Sequence, residues 1–299
     1  MASSTVINSC LDILRRLDPV ETEKHVDNLT KLISNDDICD ELHQRVAVPL
    51  KVLEDSNTND RKFLACDHNR DGDSYRSPWS NSYFPRKIED GIYPSERLRQ
   101  LELHANEVFD IYRQLYFGKS TSVSSVYLCD FYQNSGGTED ETKGFSGAFL
   151  IQNKVDSSSY WNSIHVVDVG TIERGRMCQY KLTSTILVSF SPSELGEKSA
   201  TTTITGTLIR QNSRQCTISS LDSISNLHIV NIGKFIEDVE TEMRKEMDSL
   251  YIQKTKNILD TIHKDNGNPT QGKEHTRELN EAVLAMAMNR KAKVSTHRK

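Results

Sequence analysis

Apolar residues among the first fifty positions recur at helical spacing. Val6, Cys10, Leu11, Ile13, Leu14 and Leu17 form a broad stripe that predicts a first helix. Asp18-Pro19-Val20-Glu21 reads as a helix start, with Asp as N-cap, Pro in the first turn and Glu three positions on. Val26, Leu29, Leu32 and Ile33 carry the stripe of that second helix. Ile38, Leu42 and Val46 carry a third, ending near Pro49. Three short helices of this kind can bury their stripes on one another as a small bundle.

Pro94-Ser95-Glu96 opens a longer helix, with Leu98, Leu101, Ala105, Val108, Phe109, Tyr112, Leu115 and Tyr116 in helical register and Gly118 closing it. The pattern then changes to period two, which predicts strands near 123–132, 145–152, 164–169, 178–190 and 202–209. In the fourth, Tyr180, Leu182, Ile186, Val188 and Phe190 share one face, and Lys181, Thr183, Thr185 and Ser189 share the other. The connections carry Gly, Ser and Asp and are short, so an antiparallel meander is expected. Its outer edges need a cover or a partner.

A long helix comes next. Ile232, Phe235, Ile236, Val239, Met243, Met247, Leu250, Tyr251, Ile258 and Ile262 recur at three- and four-residue steps over more than thirty residues, roughly 45 Å at ~1.5 Å per residue. Five strands span only about 20–25 Å at ~4.8 Å each. Such a helix should overhang its own sheet and bury part of its stripe on another subunit. Phe235, Ile236, Val239, Met243, Met247, Leu250 and Tyr251 are therefore the candidate partner interface. A monomer whose N-terminal helices cover both sheet edges is the competing reading.

Asp265-Asn266-Gly267-Asn268-Pro269-Thr270-Gln271-Gly272 breaks the helix and reads as a flexible linker. Beyond it, the run from Glu278 to Lys291 has high helix propensity. Leu279, Val283, Met286 and Arg290 share one side, and the end is strongly basic. A tethered helix of this shape suits an apolar groove with an acidic rim on a partner. It could also fold back on the body, lie on an anionic membrane or engage a calmodulin-like protein. The chain thus divides into 1–55 (helical), 56–122 (polar loop segment and helix), 123–210 (sheet), 211–264 (long helix) and 265–299 (linker and tail).

Composition narrows the function classes. The 299 residues carry a net charge of −5, so no general polyanion binder is expected, and contact with nucleic acid is not. Six scattered cysteines without C-x-x-C spacing point to reduced thiols and a cytoplasmic protein. No segment approaches the ~20 apolar residues of a membrane span, and the N-terminus has no long apolar run. Asn28-Leu29-Thr30 is a glycosylation sequon only in a secreted chain.

One stretch mimics a metal site. Asp67, Asn69 and Asp71 stand at positions one, three and five of a calcium loop, with Gly72 at six. The twelfth position, which needs a bidentate carboxylate, is Pro78, and the residues leading in, Lys62 to Cys66, read as extended. A buried polar turn fits better, with Arg70 and Arg76 paired to Asp67, Asp71 or Asp73 under Tyr75 and Trp79. Nucleotide-binding and catalytic motifs are missing. Gly144-Phe145-Ser146-Gly147-Ala148 lacks the last Gly of a nucleophile elbow, and His165 stands alone on a strand. Tyr75, Trp79, Tyr83 and Phe84 could stack bases, but Asp67, Asp71 and Asp73 would repel phosphates. No cofactor and no enzymatic activity are expected.

The same stretch carries a resemblance. Asn69-Arg70-Asp71-Gly72-Asp73-Ser74-Tyr75-Arg76-Ser77-Pro78-Trp79-Ser80-Asn81 resembles the hallmark of the F-actin capping protein β subunit, with His68 departing from the usual aromatic residue. Leu101-Glu102-Leu103-His104-Ala105-Asn106, Trp161-Asn162-Ser163-Ile164-His165-Val166-Val167, Tyr180-Lys181-Leu182-Thr183-Ser184-Thr185 and Asn231-Ile232-Gly233-Lys234 also fit, in order. Leu279-Asn280-Glu281-Ala282-Val283 is similar to the family's tail motif, with Asn280 and Val283 as departures.

The resemblance implies an α+β fold: a helical stalk, a five-stranded antiparallel sheet covered by a long C-terminal helix, and a mobile amphipathic tail. It implies a heterodimer with a structurally similar α subunit, joining two five-stranded sheets into one. It also implies calcium-independent capping of actin filament barbed ends, with the protein on the cytoskeleton. Leu279, Ala282 and Val283 would contact actin, with Arg290 and Lys291 supplying basic contacts, and helical spacing adds Met286. The alternative is a scaffold subunit of a larger cytoskeletal complex with an inert tail.

Overall fold

The computed structural model describes residues 2–33, 35–88, 90–118, 121–130, 144–154, 159–172, 177–190, 204–217 and 224–265. The chain divides into two compact units, Met1–Met243 and a second beginning at Arg244.

The first unit opens with helices α1 (Ala2–Leu14), α2 (Thr22–Thr30) and α3 (Asp36–Arg45). Ile7, Cys10, Leu11 and Leu14 of α1, Val26 of α2 and Ile38 and Leu42 of α3 form one apolar cluster, joined by Leu29, Ile33 and Val46. The α1 stripe is narrower than expected: Val6 and Ile13 face solvent, because the 3.6-residue turn points 7, 11 and 14 inward. Asp18 does act as a cap, accepting from Val20 N at 3.0 Å, but the turn it opens is 3₁₀ (Pro19–Glu21), and α2 begins behind it. Leu32 lies past the end of α2 and is 82% exposed. The third helix stops at Arg45, four residues short of Pro49.

Two small sheets follow. β1 (Lys51–Asp55) and β2 (Arg61–Ala65) form an antiparallel hairpin. β3 (Arg70–Asp71), β4 (Ser74–Arg76) and β5 (Tyr83–Phe84) form a three-stranded sheet. Gly72 sits at φ +55° in the tight turn between β3 and β4, where a side chain would be strained. Helix α4 (Glu96–Phe117) matches its expected span and ends at Gly118, φ +83°.

The main sheet comprises β6 (Ser122–Asp130), β7 (Phe145–Lys154), β8 (Tyr160–Ile172), β9 (Met177–Phe190) and β10 (Ile204–Thr217), all antiparallel in the order β10-β9-β8-β7-β6. It is the expected meander. β10 runs eight residues past its expected end, through a polar stretch that period two does not flag. Helix α5 (Ile224–Met247), a π-helical turn (Asp248–Gln253) and helix α6 (Lys254–Asp265) complete the described chain.

Alternation along the strands gives each sheet face its own cover. On one face, Phe149 meets Phe109 of α4 edge-to-face at 5.4 Å, and Phe145 meets His228 of α5 at 5.3 Å. On the other, Tyr127, Ala148 and Leu150 pack with Leu64 of β2 and with Leu50. Tyr127 OH donates to Leu64 O at 2.6 Å, and Ser125 Oγ accepts from Leu64 N at 2.9 Å. The sheet is therefore the middle layer of this unit, and both of its faces contribute to the core.

Candidate functional site

The motif of residues 69–81 closes on itself and on α4. Asn69 is buried, and its amide is spent on the backbone. Its Oδ1 accepts from Cys66 N at 2.8 Å, and its Nδ2 donates to Arg76 O at 2.9 Å and Leu64 O at 3.3 Å. A strand leads into the loop, and a 3₁₀ turn, Asp67–Asn69, replaces the first part of a cation loop. Asp55 reaches across from β1 to accept from Ser77 Oγ at 2.5 Å and Ser80 N at 3.2 Å. Burial works against its charge, but those bonds with the one from Asn57 hold its carboxyl below the usual range.

Arg76 is 2% exposed and Glu102 of α4 is 0% exposed. The guanidinium grips both carboxylate oxygens, Nη1 to Oε1 at 2.8 Å and Nη2 to Oε2 at 2.7 Å. Arg76 Nη1 also donates to Asn81 Oδ1 at 2.7 Å. Arg99 adds a second donor to Glu102 Oε1, and Leu128 N donates to Oε2 at 2.8 Å. Burial pulls the Arg76 guanidinium down, but the bonds and charge of Glu102 outweigh it and hold the group above its ordinary value. The expected partners of Arg76 are thus replaced by a residue on another element. Arg70, the other expected clamp, stays on the surface, 3.9 Å from Asp67. Trp79 is pinned by Nε1 to Lys62 O at 3.0 Å, with the Arg61 guanidinium 3.4 Å above its ring.

This clamp finishes one margin of the main sheet. β6 is a terminal strand, and its outward backbone groups are taken by side chains of α4. Leu128 N goes to Glu102, Val126 N and O to Asn106 (2.8 and 2.9 Å), and Ser122 O to Arg113 (2.8 Å). A strand so occupied offers no ladder to another chain. The opposite terminal strand differs. β10 has fourteen residues, with Gln211, Asn212 and Ser213 exposed and Ile204, Thr205 and Thr207–Arg210 half-buried. Thr207 N points outward, donating to Arg15 O at 3.2 Å.

Along α5, the structure buries most of the expected partner interface within the chain itself. Phe235, Ile236, Val239, Met243 and Met247 are all buried. The Arg214 guanidinium of β10 lies 4.6 Å from the Phe235 ring. Of the seven, Leu250 is exposed and Tyr251 half-buried. Among the described residues, Val230, Ile252 and Ile258 are the other large apolar side chains exposed on this helical segment.

A polar group sits in the apolar stripe of α5. Glu240 is fully buried and accepts from Ser163 Oγ at 2.8 Å and from Tyr112 OH, with His165 Nε2 at 3.6 Å. His165 Nδ1 meets Ser184 Oγ at 2.8 Å, so the lone histidine of the strand is a packed one. Nearer the start of α5, His228 Nδ1 meets Tyr180 OH at 2.9 Å, and burial, with Arg97 adding to it, drops the imidazole to about 4.

The tail residues Leu279, Ala282, Val283, Met286, Arg290 and Lys291 lie outside the described residues. The six cysteines are free, and burial pushes the Cys66 thiol up to about 12, which suits a packing role and not a reactive one. Among the described residues, no group of three or more His, Cys, Asp or Glu side chains could hold a metal ion. Glu240 went unnoticed in the sequence, although an acid flanked by Ile236, Val239 and Met243 at helical spacing is a readable sign of a buried partner.

Comparison with known proteins places the chain. The family model for F-actin capping protein, beta subunit, matches residues 7–259. The F-actin-capping protein subunit beta of Drosophila melanogaster is 40% identical over 264 residues, covering 87% of this chain and 88% of that one. That of Caenorhabditis elegans is 38% identical over 287 residues, covering 93% and 96%. The Saccharomyces cerevisiae protein is 36% identical over 265 residues, covering 86% and 89%. Among solved structures, the homodimeric actin capping protein alpha subunit from Plasmodium berghei has a TM-score of 0.51 at 15% identity, covering 86% of this chain and 94% of that one. At that identity, the likeness concerns the fold alone.

Proposed function

The chain belongs to the F-actin capping protein beta-subunit family, and from that premise we propose that it forms half of a heterodimer capping the barbed ends of actin filaments. The family is non-enzymatic. Its other half is an alpha-type subunit, and its place is the cytoplasm and the cytoskeleton.

The observation that carries the dimer is the unlike treatment of the two terminal strands. Glu102, Asn106 and Arg113 occupy the β6 backbone, whereas β10 presents a long, half-buried strand. The partner sheet adds alongside β10. The apolar side chains that the C-terminal helical segment leaves in solvent, Leu250, Ile252 and Ile258, supply a second contact with the partner. Phe235, Ile236, Val239, Met243 and Met247 are buried within the chain, which leaves the exposed side chains as those open to a partner.

The tail is the movable contact with actin. Leu279, Ala282, Val283 and Met286 form its apolar side, and Arg290 and Lys291 its basic end. Helix propensity, amphipathic spacing and the polar linker before it support this role. Capping is independent of calcium, a reading supported by the commitment of Asn69 to the backbone. The test is deletion from Glu274 onward in the purified heterodimer, assayed by filament elongation from seeds. Loss of barbed-end affinity with the dimer intact is expected. Unchanged affinity would favour an inert tail on a scaffold subunit.

A further inference from the structure

A cleft of about 1190 Å³ opens in the first unit on the sheet face that carries Leu50 and Leu150, between the turn before α2, β1 and strands β6 to β8, with Asp110 and Arg113 of α4 at its rim. Its floor holds two buried polar groups without partners, Asn162 Nδ2 and Tyr160 OH. Asn162 is 0% exposed and Tyr160 6%. They stand two apart on β8 and so share a face.

The orientation of the Asn162 amide follows from its neighbours. Leu50 O is an acceptor only, so the Gln152 group 2.6 Å from it is the donor Nε2. The same Nε2 donates to Asn162 Oδ1 at 3.0 Å. Asn162 Nδ2 is therefore left as a donor with nothing to receive it. Buried donors are rarely left so, and an acceptor from outside the chain would satisfy this one.

Charge around the cleft points the same way. Five of its lining residues are basic and two acidic. Asp110 is engaged by Arg113 at 2.8 Å, and Glu23 lies 3.8 Å from Lys51. That leaves Arg61, Lys62 and Lys154 without a carboxylate on the cleft wall. Val20, Val48 and Val52, all exposed apolar side chains, line the same cleft.

We propose that this cleft is a docking site for an acidic peptide segment of a partner protein. Carboxylates would take the Asn162 and Tyr160 donors, while apolar side chains would rest on the three valines. Its volume exceeds the roughly 300–1,000 Å³ of an ordinary small-molecule pocket, which favours a chain of several residues over a small anion. This site is separate from the β10 edge and the tail, so it stands or falls independently of capping.

The test uses the full chain in its heterodimer and a fluorescein-labelled dodecapeptide of alternating Glu and Val, read by anisotropy. The Gln-Val peptide of equal length is the control, with citrate and inorganic phosphate as competitors. The Glu peptide should bind at least tenfold more tightly than the Gln peptide. Asn162→Ala and the surface change Lys62→Glu should each weaken it at least fivefold, with the elution volume of the dimer unchanged. Three outcomes would overturn the proposal: equal binding of both peptides, affinity unmoved by Lys62→Glu, or displacement by micromolar citrate or phosphate. The last would reassign the cleft to small anions.

Discussion

Arg76 and Glu102, 26 residues apart, meet through two parallel hydrogen bonds of 2.8 and 2.7 Å with almost no water contact. Removing Glu102 leaves the Arg76 and Arg99 cations without their shared carboxylate, and removing Arg76 leaves Glu102 with Arg99 as its one cation; breaking a buried pair costs about 3–5 kcal/mol. Glu102→Gln and Arg76→Met should each lower the heterodimer's stability by that order in denaturant titration. The double variant should cost less than the sum of the two, because Arg99 is then the one cation left without its carboxylate.

β10 offers a cleaner test of the pairing edge. Thr207 N faces outward, and the backbone repeats every two residues, so the amide of Gln211 faces the same way. Gln211→Pro removes an outward donor and spares the bonds to β9. Co-expression should then yield this chain without its alpha-type partner, with far-ultraviolet circular dichroism showing the strand content retained.

Acid should loosen the first unit through His228. Its folded pKa of about 4 lies below the ordinary 6.5, so the unfolded chain binds more protons between those values. Stability is whole above pH 6.5 and falls as pH drops toward 4. At ~1.4 kcal/mol per unit the loss is bounded at about 3 kcal/mol, and partial exposure reduces it. Chemical denaturation at pH 7 and pH 4.5 should show His228→Gln with a shallower pH slope than the parent protein.

In the tail, Leu279→Ser with Val283→Ser should reduce barbed-end affinity on the order of 10²–10⁴-fold, at ~1.5–3 kcal/mol for each buried aliphatic side chain. Elongation assays from spectrin–actin seeds would measure it. A change under threefold would mean that these two positions are not the anchors.

Calcium titrated into the heterodimer should release no binding heat, and Asp71→Asn should leave capping unchanged. A saturating isotherm abolished by Asp71→Asn would restore the cation-loop reading.

The sheet and the long helices were legible because their apolar residues keep strict periods. The expected strand 178–190 and the observed Met177–Phe190 differ by one residue. The end of β10 was not legible, because a terminal strand facing water needs no alternation, and Arg210 to Thr217 carry none. β1, β3, β4 and β5 went unread for a related reason: at two to five residues each they are too short to show a period, and Asp55, Asn69 and Arg76 tie this region together through side-chain bonds. The sequence displayed the charge of Arg76 but not its partner, since nothing local distinguishes Glu102 from the nearby aspartates. Five of the seven interface candidates on α5 are buried within the chain itself, because a stripe shows that residues are buried, not what buries them.

Glu102, Asn106 and Arg113 also set a stoichiometry. A subunit with one margin already stitched to its own helix can be joined on one side only. Whatever sheet is laid against the β10 margin, growth past this chain in the other direction has nowhere to start. A factor that halts a polymer is thus built so that it cannot become a ribbon itself.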